Sequence, residues 1–99
     1  MNAQWKFIKN FSTNNPGCLA WEIKLGVWRL VVVYNHRDYP GQYIYYVPGV
    51  VGDTLLHNVP DEKQAKMLAL TQVETLASQI LDSTTVALEN VYQSIGNEQ

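Results

Sequence analysis

Cys18, His36 and His57, with Asp38 or Asp53, are the side chains in this chain that could assemble a nucleophile, a base and an orienting carboxylate. A thiolate activated by a neighbouring imidazole is the chemistry such a trio performs. The sequence around them gives that chemistry no support. Cys18 follows a Pro16-Gly17 turn, and an unpaired cysteine is most often a small buried hydrophobe. The histidines fall in or beside loop segments with no motif around them. One cysteine and two histidines at spacings of 18 and 21 residues match no zinc pattern. The Pro48-to-Asp53 segment has two glycines but no following Lys-Ser/Thr, and no helix opens directly behind it, so it is no phosphate cradle. The reading at this level is a protein without enzymatic activity, cofactor or metal.

Aromatic side chains carry the stronger signal. Trp21, Trp28, Tyr34, Tyr39, Tyr43, Tyr45 and Tyr46 are more rings than one face of a small core can bury. Alternation along a strand sends about half of them to each face. With helices on one face only, the rest meet solvent, where Tyr and Trp on a rigid sheet serve as interface anchors. Trp28, Arg37, Tyr39, Tyr43 and Tyr45 are therefore the expected protein-binding residues, with Glu74 on an acidic helical face as a secondary contact. The same rings could stack on single-stranded bases. Only Lys24, Arg29 and Arg37 lie near them, however, and the net charge is −2, so nucleic acid is not the expected partner.

The elements that position these residues follow from a change of hydrophobic period at Val59-Pro60-Asp61. Before it, apolar residues alternate as in strands; after it, they recur every three or four positions as in helices. Trp5–Phe11 fits an edge strand or one helical turn, and Ser12–Gly17 is a loop. In Leu19–Tyr34, Trp21, Ile23 and Leu25 share one parity while Trp28, Leu30, Val32 and Tyr34 share the other. The change fits a tight hairpin turn at Leu25-Gly26 or a bulge in one long strand, and the hairpin is expected because a single strand of that length is unusual. Leu30–Val33 is apolar on both faces, which predicts a central, covered strand. His36–Gly41 reads as a turn signalled by Pro40-Gly41, Gln42–Val47 as a strand, and Thr54–Val59 as a short last strand.

Asp61 with Gln64 has the pattern of a helix cap. Ala65, Ala69, Val73, Leu76 and Ile80 then form one stripe, and Leu88, Val91, Tyr92 and Ile95 a second. Unbroken, residues 61–95 would make a helix of about 52 Å at about 1.5 Å per residue. A kink or break near Asp82–Thr85 is expected; without one, the far end of the helix implies packing on another subunit, a homodimer through the C-terminal helix. The fold class is α+β: an antiparallel sheet of three to five strands, then one long or two shorter helices packed on one face.

A chain of 99 residues, 46% hydrophobic and 16% charged, suits one domain (1–99, strand-rich over 1–59 and helical over 60–96) with a packed core. Residues 1–66 hold all seven Lys and Arg against five acids; residues 67–99 hold four acids and no base. The single cysteine suits a reducing compartment. No segment reads as a signal peptide, and no apolar run approaches the roughly 20 residues of a membrane span. The expectation is a cytoplasmic protein that does not engage membranes.

Trp21–Leu25, Val27–Val33, Tyr43–Val47 and the helix-opening Asp61–Lys66, in this order, resemble the layout of small phage-encoded anti-defence proteins, anti-CRISPR proteins among them. The resemblance implies a non-catalytic inhibitor that sterically blocks a bacterial defence complex in the host cytoplasm. Val47-Pro48-Gly49, Gly52-Asp53-Thr54 and Asp61–Ala65 also resemble the order found in HicB-type antitoxins, which implies a regulatory module binding a protein or nucleic acid. Here the step from Gly52-Asp53-Thr54 to the helix is several residues longer than in that family.

Overall fold

The computed structural model describes residues 4–96. Strands β1 (Lys6–Phe7), β2 (Leu19–Leu25), β3 (Trp28–His36), β4 (Tyr39–Val47) and β5 (Val51–Leu56) precede one helix, α1 (Glu62–Gly96). All strand pairs are antiparallel, and the sheet order β1-β2-β3-β4-β5 is the sequence order. The α+β class implied by the change of period is the class observed.

Local chemistry sets each turn. Leu25 pairs with Trp28, so Gly26 and Val27 alone make the β2–β3 turn. Gly26 has φ 64°, the left-handed value that a type II′ turn requires at its first central position. Between β4 and β5, the Val50 N–H donates to the Val47 carbonyl at 2.9 Å. Pro48 and Gly49 (φ 79°) occupy the two central places of a type II turn.

The β3–β4 connection differs from the sequence expectation. His36 pairs with Tyr39, so the turn is Arg37-Asp38, and Pro40-Gly41 lies inside β4. The ladder is irregular between Tyr34 and His36, which leaves Asn35 at φ 61° and accommodates a proline that regular pairing would exclude. Likewise β5 starts at Val51, not Thr54, and ends at Leu56, with Gly52-Asp53 inside the strand. The ambiguous N-terminal segment contributes the short edge strand β1.

The contacts divide the chain into two compact units, 1–69 and 70–99. In the first, the register Trp21↔Val32, Ile23↔Leu30 and Val32↔Tyr45 puts these five residues on one face of the sheet. Ala20, Val31, Val33 and Ile44 share the other. Leu30, Val31, Val32 and Val33 are all 0% exposed, so β3 is covered on both sides, as its apolar run requires. Each such side chain contributes about 1.5–3 kcal/mol. Ile8 and Phe11, from the segment joining β1 to β2, pack on the second face against Cys18, Ala20, Val31, Val33 and Ile44. The opening of α1 belongs to the first face. Lys66 Nζ stands 5.3 Å from the ring centroids of both Trp5 and Trp21 and pairs with Glu62, while Ala65 and Ala69 are fully buried.

The helix begins where expected. Asp61 Oδ1 accepts from the Gln64 N–H at 2.8 Å, and the Asp61 carbonyl accepts from Ala65 N–H at 3.0 Å. The break expected near Asp82–Thr85 is not there: α1 runs without interruption for 35 residues. Asp, Ser and Thr each cost only about half a kcal/mol relative to alanine in a helix interior, whereas a proline costs about 3. No glycine or proline lies between Asp61 and Gly96. Among the described residues, no helix is long and apolar enough to cross a membrane.

Candidate protein-binding face

Cys18 belongs to the core. It is 7% exposed within the Val31–Ile44 cluster, and burial pushes its thiol pKa up, opposite to the shift that activates a nucleophile. His36 lines the same cleft of about 410 Å³ as Cys18. Its Nδ1 accepts from the Asp38 N–H at 3.1 Å and lies 4.0 Å from Asp38 Oδ2, an arrangement that orders the Arg37-Asp38 turn. His57 is exposed just beyond β5. Among the described residues, no group of three His, Cys, Asp or Glu side chains is placed to hold a metal.

Loop chemistry instead builds a clasp. Asn15 Nδ2 donates to the Asn35 carbonyl at 3.1 Å, and Asn35 Nδ2 donates to the Gly17 carbonyl at 3.3 Å. The Gly41 N–H donates to Asn35 Oδ1 at 2.7 Å. A Cβ on Gly17 would sit 3.0 Å from Asn35 Nδ2, so a larger residue there would push that amide back by a few tenths of an ångström. The clasp ties the segment that covers the Cys18 cluster to the β3–β4 connection.

The ring residues expected to anchor a partner do not converge. Trp28, half-buried, closes the β2–β3 hairpin, while Arg37, highly exposed, sits in the turn at the other end of β3. Eight steps of about 3.3 Å separate Trp28 from His36, so about 26 Å lies between those ends. Tyr39 packs against the Cys18 cluster, whereas Tyr43 stacks 4.7 Å from Tyr34 on the Trp21 side of the sheet. Tyr45 is 6% exposed and paired with Val32, so it is a core residue, a correction to its expected role as an anchor. Glu74 is exposed on α1, in the second unit.

A continuous apolar face is found elsewhere. In the second unit, every residue from Ala77 to Ile95 is exposed. Leu81 (66%), Leu88 (49%), Val91 (53%), Tyr92 (68%) and Ile95 (59%) keep more than two-fifths of their surface in water. At about 100° per residue, all five fall within about 60° of Leu88 around the axis. The stripe formed by Ala65, Ala69, Val73, Leu76 and Ile80 is centred about 100° away, by the same geometry. The second stripe is therefore turned away from the centre of the first and adjoins it along the Ile80–Val91 edge.

No protein-family model, curated protein or solved structure matches this chain.

The geometry of the Leu81–Ile95 face suits the side of another helix. Asp82 and Glu89 lie at its flank, about 100–120° from Leu88, and leave the centre uncharged. The second stripe was legible from spacing. Exposure of Ile80, at 42%, and Leu81 was not, because a 3.6-residue period marks an apolar face without saying what covers it.

Proposed function

We propose that this chain is a non-catalytic protein-binding module whose contact face is the Leu81–Ile95 stripe of α1. One observation carries the reading: a helical segment exposed at every described position, with five large apolar side chains on one side. Helical stability in proteins comes mostly from packing an apolar face. A face of this kind, left open in one copy of the chain, marks an interaction site.

Within that class, the layout of strands and helix favours a phage-type inhibitor that blocks a bacterial defence complex by occupying its working surface. The test is to express the full chain in bacteria carrying a defence system and to measure phage plating, alongside pull-down of the purified defence complex. Wild type restores plating and captures the complex, and Leu88→Asp does neither. Wild type that neither restores plating nor binds the complex overturns the inhibitor reading. A salt-dependent shift of oligonucleotides would favour the antitoxin-like alternative.

A further inference from the structure

We infer that two copies of this chain pair with each other through the Leu81–Ile95 face of α1, an inference that rests on the protein-binding reading above and makes the second copy the occupant that a defence complex must displace from that face. Positions 77, 81, 84, 88, 91 and 95 are spaced four, three, four, three and four residues apart, and hold Ala, Leu, Thr, Leu, Val and Ile. That alternation is the 3.5-residue repeat of a coiled-coil seam, whose knobs fit the holes of a second helix with the same repeat. The chain itself supplies such a helix, and two-fold pairing sets each seam against its own copy.

Charge permits this occupant. Positions flanking the seam choose partners in coiled coils through complementary charges. Here those flanks hold Ser78, Ile80, Thr85, Ala87, Tyr92 and Ser94, with no charge to specify a different chain or to repel an identical one. Asp82 and Glu89 lie outside them. Ile80 and Tyr92 instead widen the apolar strip. Covering the exposed parts of Ile80, Leu81, Leu88, Val91, Tyr92 and Ile95 on both copies removes on the order of 1,000 Å² from water, the level a specific interface needs.

Light scattering on the full chain over a dilution series tests the pairing. Wild type has twice the mass of one chain, and its melting temperature rises with protein concentration. Leu88→Asp weakens pairing by at least about 100-fold, the scale of a buried interface anchor. Val86→Asp, at a residue 55% exposed on the opposite side of the helix, leaves pairing unchanged. Near-ultraviolet dichroism of the tryptophans checks that both variants keep the sheet. Wild type monomeric at every concentration overturns the inference, as does equal dissociation by both variants. If wild type is monomeric yet binds the purified defence complex in a Leu88-dependent way, pairing fails while the protein-binding reading stands.

Discussion

Asn35 ties three separate loop positions together. Its left-handed backbone tolerates asparagine better than any branched residue. Its amide bridges Gly17 and Gly41, and its carbonyl receives Asn15. Asn35→Ala removes two of those three bonds and leaves a residue poorly suited to φ 61°. At about 1 kcal/mol for each loss, the variant is destabilised by about 2–3 kcal/mol in urea denaturation. Asn35→Gly, which keeps the backbone comfortable, loses less. Equal stability of Asn35→Ala and wild type would show that the clasp holds nothing. This residue could not have been singled out from sequence. Nothing in Tyr34-Asn35-His36 announces a ladder irregularity, whereas Pro40-Gly41 announces a turn that the pairing of His36 with Tyr39 makes two residues earlier.

Strands were easier to read than their junctions. Period-2 alternation in Leu19–Tyr34 and Gln42–Val47 survives because each strand presents one set of side chains to each covered face, and a one-residue slip would exchange them. Gly26 and Pro48-Gly49 marked their turns because the backbone there needs a positive φ or a fixed one. The helix runs on through Asp82–Thr85, where a break is expected, because weak formers cost too little to end it when no proline intervenes. Its first turns carry alanines, fully buried at Ala65 and Ala69, and its last turns carry leucine, valine, tyrosine and isoleucine in the open. Thr84 is the polar member of that outer seam. Thr84→Leu therefore tightens self-association by about tenfold or more, the worth of one added apolar side chain. Analytical ultracentrifugation reads the change; unaltered or weaker association would exclude Thr84 from the contact.

At the scale of the whole molecule, titration follows burial. Cys18 has its pKa raised by desolvation. Tyr43 and Tyr46 are raised first by desolvation; Tyr34 and the acids Glu62 and Asp61 add to the shift at Tyr43, while Arg29 partly offsets it at Tyr46. The folded state thus keeps protons that the unfolded chain releases. Stability is undiminished below about pH 9 and falls as the pH climbs past it, because the unfolded state then binds fewer protons. Urea midpoints measured between about pH 8 and 10.5 should decline, and Cys18→Ala should lessen the early part of the decline. A midpoint that rises over this interval would contradict the assignment.

The sheet's strand order is also a statement about time. Every strand pairs with its neighbour in the chain, from β1 to β5. The β2–β3, β3–β4 and β4–β5 ladders close across two or three residues, and only β1 is joined by a longer segment, residues 8–18, so little entropy is lost before most contacts form. On a ribosome, the β2–β3 hairpin can zip before β4 has emerged, and the tyrosine-rich strand then meets a template already made. Synthesis from the N-terminus and assembly of the sheet run in the same direction, with the helix arriving last.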